Sequence, residues 1–283
     1  MTLAEVRPLT DQEFGLFRDL VDKEIGIHLS ATKQALVNAR LLSRVRELGL
    51  ATFTQYYERV QTGVDGELVR FINAICTNET RFFREPNQFT FMSEQLLPRL
   101  LRAAEQGQRP KQLRVWSAAC SSGEEPYSLA MLLLDRLPAD WSLEILATDI
   151  STKVLERAVG AVYSVERLAE IASELRQRFL LRGVGSQAGK FRVGKQARSV
   201  VKFQRENLSV GRFEHLGSFD LVLCRNVLMY FKPEMRRFVV ERLVRQLVTG
   251  GHFFVGHSES LHDYDVELRT VAPTIYRLER GER

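Results

Sequence analysis

The 283-residue sequence predicts an α/β fold: a small all-α N-terminal domain, then an open, largely parallel sheet with helices on both faces. Three observations carry this. Apolar residues recur every three or four positions through the first eighty or so residues, as in helices packed on one another. From about Gln112 short apolar runs alternate with amphipathic helical stretches, the rhythm of parallel strands joined by helices. Between about 160 and 200 that rhythm breaks into glycine-punctuated β-type runs, which predict an inserted antiparallel β subdomain; a surface loop is the alternative.

In chain order, "TDQEFGLFRDLVDKEIG" has a Thr/Asp start and a glycine stop. "SATKQALVNARLLSRVRELGL" opens at Ser30 and closes at Gly49. "TFTQYYERVQTG" and "GELVRFINAICTN" are shorter helices, and residues 1–84 are expected to form the helical domain. A linker over 85–111 carries its own helix within "EPNQFTFMSEQLLPRLLRAAEQGQRP". In 112–283 the expected strands are "LRVWSAA", "LEILATDI", "VVKFQREN", "FDLVLCRNV", "GHFFVGHS" and "TIYRLER". Helices lie between them at "EPYSLAMLLLDRL", "STKVLERAVG" and "PEMRRFVVERLVRQLV". The last two strands have a short non-helical link, so one antiparallel edge strand is expected. Within the β subdomain, "GVGSQAG" is a turn between two strands.

Hydrophobic content of 45% and charged content of 27% are those of an ordinary globular chain. No apolar run reaches the roughly 20 residues of a membrane span, and the polar start is unlike a signal peptide. A cytoplasmic location without membrane insertion is expected. Cys76, Cys120 and Cys224 form no CxxC pair and are expected as free thiols. His252, His257 and His262 recur every five residues, which suits neither a helix face nor a strand face, so no metal site is expected. A net charge of +5 suits an acidic partner without selecting one. Nothing demands a dimer, and a monomer is expected.

The chemistry concentrates in "VWSAACSSGEEPYSLAMLLL", a strand, a small-residue turn and a helix of the type that cradles nucleotides. In such Rossmann-like sheets ligands sit beyond the carboxyl ends of the strands. Asp149 ends the second strand, where an acidic residue accepts from ribose hydroxyls, and Asn207 follows the next parallel strand. Glu124 and Glu125 stand where a phosphate would rest. A like-charged pair 4 Å apart costs about 4 kcal/mol at an effective dielectric of 20. The turn thus disfavours a pyrophosphate and suits a cationic nucleoside, and S-adenosylmethionine fits that description.

Five phrases make the reading specific: "NETRFFRE", "RVWSAACSSGEEPYSLA", "ATDIS", "CRNVLMYF" and "GHSESL". In this order and spacing, from about residue 10 to 278, the chain resembles the chemotaxis receptor methyltransferases, CheR. The resemblance implies S-adenosylmethionine-dependent methyl esterification of glutamate side chains in the cytoplasmic domain of bacterial chemoreceptors. It implies a cofactor pocket from Asn78, Thr80, Arg84, Glu124, Asp149, Asn207, Leu208, Arg225 and Asn226, and no metal. Glu79 is assigned no role.

A glutamate is already ionised at neutral pH and needs no general base, so positioning is the main help available. Arg84 is the candidate to hold one oxygen of the accepting carboxylate, with Tyr230 donating a hydrogen bond or shaping the pocket. The alternatives are that Arg84 pairs with the cofactor's carboxylate or Glu124, and that Tyr230 only packs. Lys33, Arg40 and Arg44 fall on one face of the second helix. With the resemblance, that face is expected to dock the acidic methylation region of the receptor. The inserted subdomain resembles the part with which some family members bind a receptor's C-terminal tail peptide, and tail binding is expected. A nucleic-acid methyltransferase is the enzymatic rival, yet "CRNVLMYF" lacks the proline-bearing loop of DNA amino methylation, so no nucleic-acid partner is expected. A non-catalytic adaptor is the second rival.

Overall fold

The computed structural model describes residues 6–210, 212–261, 264 and 267–279. His262 of the histidine series and Arg280 of the last expected strand lie outside them.

The N-terminal helices are α1 (Asp11–Ile25), α2 (Gln34–Glu47), α3 (Phe53–Thr62) and α4 (Glu67–Ile75). Thr10 and Glu13 form a reciprocal capping box at the start of α1, and Thr52 with Gln55 forms another for α3. The second helix does not open at Ser30: residues Ala31–Lys33 make a 3₁₀ turn first. The helices enclose their own core, with Phe17, Val21, Leu41, Val45, Phe53 and Phe71 all buried.

The expected linker is part of the sheet domain. Helix α5 (Pro86–Phe91) runs through a π-turn, Met92–Leu96, into α6 (Leu97–Glu105). The π-turn comes just before Pro98, which has no N–H to give to the carbonyl four residues back. Phe82, Phe89, Met92 and Leu97 join the core beneath the sheet, so the chain leaves the helical core by Cys76 rather than at residue 84.

The sheet domain begins with β1 (Gln112–Ala118), α7 (Glu124–Arg136), β2 (Ser142–Asp149) and α8 (Thr152–Gly160). The insertion follows as β3 (Val162–Ser164), α9 (Ser173–Phe179), β4 (Leu180–Arg182) and β5 (Lys190–Val193). The chain then gives α10 (Lys195–Ser199), β6 (Val201–Arg205), β7 (Phe219–Cys224) and α11 (Pro233–Val244). It ends with β8 (Leu247–Val255), β9 (Leu268–Ala272) and β10 (Ile275–Leu278).

The main sheet has the order β6-β2-β1-β7-β8-β10-β9, and the pairs from β6 to β8 are parallel. Two antiparallel strands, not one, complete it. The terminal β10 lies between β8 and β9, pairing antiparallel with both. The sequence reading missed β9 because "LRTVA" is half exposed and lacks the apolar run that marks the central strands. The insertion is an ordered antiparallel sheet, β3-β5-β4, with residues 183–189 turning between β4 and β5 as expected. Its Tyr163 and Phe191 pack around Phe82, with ring centroids 5.0 and 5.8 Å from it. Cys120 and Cys224 are buried free thiols, and Cys76 is half buried.

Candidate active site

Strand order reverses around β1: β2 and β6 lie on one side of it, β7 and β8 on the other. The carboxyl ends of β1, β2, β6 and β7 therefore surround one crevice, where ligands of such sheets bind. A cavity of about 340 Å³ occupies it. Ser121, Asp149, Asn207 and Arg225 line its floor, while Ile27 and Arg40 of the helical domain contribute its roof.

The backbone around the cavity is held in strained conformations. Ala119, Ser121 and Asn226 line it with φ of 62°, 50° and 58°, and Phe83 and Glu85 adjoin it at 48° and 64°. Non-glycine residues in this region concentrate where function over-determines the chain. Gly256 shows the crowding: a Cβ there would lie 2.8 Å from the Asn226 backbone nitrogen.

Asp149 is buried, and each carboxylate oxygen accepts one backbone N–H, from Ser121 and from Ser151, both at 2.9 Å. Burial pushes its pKa up, and those N–H groups partly oppose this. Each oxygen keeps capacity for a further donor, which suits paired ligand hydroxyls. Asn78 is tied to the same turn, its carbonyl accepting from the Ser121 hydroxyl at 2.8 Å. Thr80 lines the cavity while its carbonyl accepts from Arg167 of the insertion.

The two acidic residues of the turn part company. Glu124 is fully buried and does not reach the cavity, which corrects its expected place there. One oxygen accepts from the Ser122 hydroxyl at 2.7 Å; the other has no hydrogen-bond partner among the described residues and lies 3.9 Å from Arg167. Burial raises its pKa. Glu125 instead lines the cavity, accepting from the Ser117 hydroxyl at 2.7 Å and from Arg225 at 2.9 Å. Arg225, which Glu85 also engages, thus offsets only part of its negative charge.

Arg225 is buried and grips Glu85 as well, through Nη2 at 2.9 Å. Asn226 donates its side-chain N–H to Glu85 at 3.2 Å, and its backbone N–H to Glu259 at 2.8 Å. Glu259 also accepts from the Gly256 and Met229 backbones, fixing the turn that leads to Tyr230. Sequence reasoning gave no role to Glu85 or Glu259 and read Glu125 only as half of an acidic turn, although all three lie inside the phrases that carried the resemblance.

Arg84 lines the cavity, and its guanidinium makes one hydrogen bond among the described residues, to the Glu79 carbonyl at 3.1 Å. The Tyr230 hydroxyl, also at the cavity, has no partner among the described residues, while its carbonyl accepts the His28 N–H at 2.7 Å. Leu208 lines the cavity. Asn207 does so with its amide committed: it donates to the Glu24 carbonyl at 2.8 Å and accepts from Ser209. It therefore fastens the helical domain to the sheet as well as bordering the cavity.

On α2 the three expected cations differ. Lys33 is exposed at the cavity rim. Arg40 donates to the Ile75 carbonyl and the Thr77 hydroxyl, bracing the strap that enters the site. Arg44 holds the buried Glu67 in a two-pronged ion pair at 2.7 and 2.9 Å, so it is a structural cation and not a free one.

The geometry agrees with comparisons to known proteins. The family profile described as CheR methyltransferase, all-alpha domain, matches residues 12–76. That described as CheR methyltransferase, SAM binding domain, matches residues 78–276. The chain is 39% identical to chemotaxis protein methyltransferase 2 of Pseudomonas aeruginosa, over 94% of this chain and 93% of that one. It is 34% identical to the chemotaxis protein methyltransferase of Escherichia coli K12, over 99% and 95%. It is 32% identical to that of Borreliella burgdorferi, over 95% of each. With both of its domains matched and the crevice between them built from the matched segments, this chain belongs to the CheR methyltransferase family.

Proposed function

We propose that the protein esterifies glutamate side chains in the cytoplasmic domain of a bacterial chemoreceptor, using S-adenosylmethionine as methyl donor. The observation that carries this is one crevice joining an Asp149 with acceptor capacity, the Glu125–Arg225 wall and an Arg84 guanidinium with one internal bond among the described residues. The residues present fit the nucleoside: Asp149 has acceptor capacity for ribose hydroxyls, and the turn at Ala119 to Ser121 lets the backbone come close. Asn78, Thr80, Leu208 and Asn226 complete the enclosure, and Asn207 borders it. When bound, the donor supplies an electrophilic methyl group on a cationic sulfur.

The protein's own contribution is positional. An ionised glutamate is nucleophilic without a base, so holding it in line for displacement is the principal task. Arg84 holds one oxygen of the incoming carboxylate while the other faces the methyl group. Tyr230 donates a hydrogen bond at the same mouth. The helical roof keeps water from the reacting carboxylate. Lys33 at the rim, with Arg40 behind it, gives the face on which acidic receptor helices dock. The small sheet offers free edges at β3 and β4 for a receptor tail peptide to add as a strand. Such tethering raises local substrate concentration and leaves the chemistry alone.

The test is calorimetry with S-adenosylhomocysteine, followed by transfer of labelled methyl groups to receptor cytoplasmic fragments. Base-labile label on the fragment supports carboxyl esters; no nucleoside binding, or base-stable label, overturns the reading.

A further inference from the structure

Glu85 lies behind the cavity wall and outside every role given above to a group that touches ligand. It is buried, at the junction between the strap from residues 78 to 84 and helix α5. Its backbone sits at φ 64°, an arrangement that costs a non-glycine residue on the order of 1 kcal/mol or more. What holds it there is its carboxylate. One oxygen accepts from the Asn226 side chain at 3.2 Å and the His257 backbone at 3.0 Å. The other accepts from Arg225 through Nη2 at 2.9 Å and Nε at 3.3 Å. One side chain thus joins the strap, the turn after β7 and the turn after β8.

The charges in this wall do not cancel. Arg225 is the cation shared by Glu85 and Glu125, on opposite sides of its guanidinium. Burial alone would raise the Glu85 pKa, but Arg225 and the donors from His257 and Asn226 outweigh it and keep the carboxylate ionised. Among these three groups two carboxylates against one guanidinium leave one negative charge, in a wall where screening by solvent is weak. Arg225 is also kept from turning into the cavity, so it does not compete with Arg84 for an incoming carboxylate.

We propose that Glu85 is a positioning residue: it fixes Arg225 and Asn226 in the wall and supplies the surplus negative charge that favours a cationic nucleoside over its neutral counterpart. This rests on the methyl-donor reading. It assigns the preference to a residue that touches no ligand, acting through Arg225.

The experiment is calorimetry of the full chain with S-adenosylmethionine, whose sulfur is cationic, and S-adenosylhomocysteine, whose sulfur is neutral. Thermal unfolding is recorded alongside. Glu85→Gln should raise the dissociation constant of the cationic nucleoside about five- to tenfold more than that of the neutral one, as loss of one charge several ångströms away in a partly buried site predicts. Glu85→Asp, which keeps the charge on a shorter stem, should restore the ratio to within about twofold of the original, even where both affinities fall. If Glu85→Gln does not fold, Glu125→Gln gives an independent reading: it removes the same surplus from the other side of Arg225 and should shift the ratio toward the neutral nucleoside. Equal losses for both nucleosides in Glu85→Gln, or an unchanged ratio in Glu125→Gln, would overturn the inference and leave the methyl-donor reading standing. A wild-type protein that binds neither nucleoside would overturn that reading and the inference with it.

Discussion

Tyr163 of the small sheet donates its hydroxyl hydrogen to the carbonyl of Ser122, 2.7 Å away, inside the turn that follows β1. The insertion is thereby fastened to the loop at the mouth of the cavity. Gly123, at φ 95°, allows the approach: a Cβ there would lie 2.9 Å from the Tyr163 hydroxyl oxygen. Arg167 makes a second link, donating to the Thr80 carbonyl. Tyr163→Phe should lower stability by about 1–2 kcal/mol, the cost of a buried carbonyl left without its donor. It should also weaken S-adenosylhomocysteine binding several-fold. Thermal unfolding and calorimetry check both, and unchanged affinity would mean that the insertion does not shape the loop.

Arg84→Ala should leave the fold intact, since among the described residues the guanidinium has only the Glu79 carbonyl to lose. It should cut kcat for receptor methylation by about 100-fold or more, with nucleoside affinity changed far less, as expected for a contact made to the reacting carboxylate. A parallel fall in nucleoside affinity would move Arg84 to the cofactor side of the site.

Adjacent Glu124 and Glu125 should respond in opposite ways. Glu124 is buried with one oxygen that no hydrogen-bond donor reaches among the described residues, so Glu124→Gln removes a desolvation cost and should leave stability equal or higher at pH 8. Glu125→Gln weakens a charged hydrogen bond to Arg225, which keeps Glu85, and should cost about 1–2 kcal/mol. Chemical denaturation at pH 8 separates the two. A larger loss for Glu124→Gln would contradict the assignment of Glu125 to the wall.

The order of elements was legible in the sequence because each signal was local. Caps such as Thr10 with Glu13, apolar runs such as "LEILATD" and the glycines of "GVGSQAG" act within a few residues. What escaped was decided by rotation or by distant partners. Glu124 and Glu125 are neighbours, but one helical residue turns the side chain by about 100°, sending one under the insertion and the other to the cavity. Arg44 looked free because its partner, Glu67, lies on a different helix. Strand β9 needed β10 to pair with before its mixed composition could form an edge.

That distant pairing separates two cations of one helix. Arg44→Ala leaves the buried Glu67 with only Tyr56 at 3.1 Å and Arg70 at 3.4 Å, and should destabilise the helical domain by about 2–4 kcal/mol. Lys33→Ala should leave stability within about 0.5 kcal/mol of wild type. It should raise KM for receptor fragments, more at low salt than at high. Unfolding curves and salt-dependent kinetics on the two variants check this; a KM effect without a stability effect in Arg44→Ala would return that residue to the docking face.

Acid should unfold the helical domain before the sheet. Burial alone would raise the pKa of Glu13, but hydrogen bonds from Arg7, Thr10 and Thr54 outweigh it and bring the value to about 2. Glu67 is lowered by its bonds to Arg44, against the effect of burial. Both folded values lie below the unfolded one of about 4.3, so their stabilisation is complete above that pH and is lost as pH falls through the folded values. Asp149 and Glu124 run the other way: burial raises their pKa, so their contribution is present at low pH and fades as pH rises through their folded values. Both tryptophans, Trp116 and Trp141, belong to the sheet domain, while Tyr56 and Tyr57 pack in the helical one. Between pH 5 and 2, backbone amides of α1 to α4 should therefore lose hydrogen-exchange protection before tryptophan fluorescence shifts. Glu13→Gln should lower stability at pH 7 and flatten its acid limb, and a tryptophan signal that changes first would reverse the assignment.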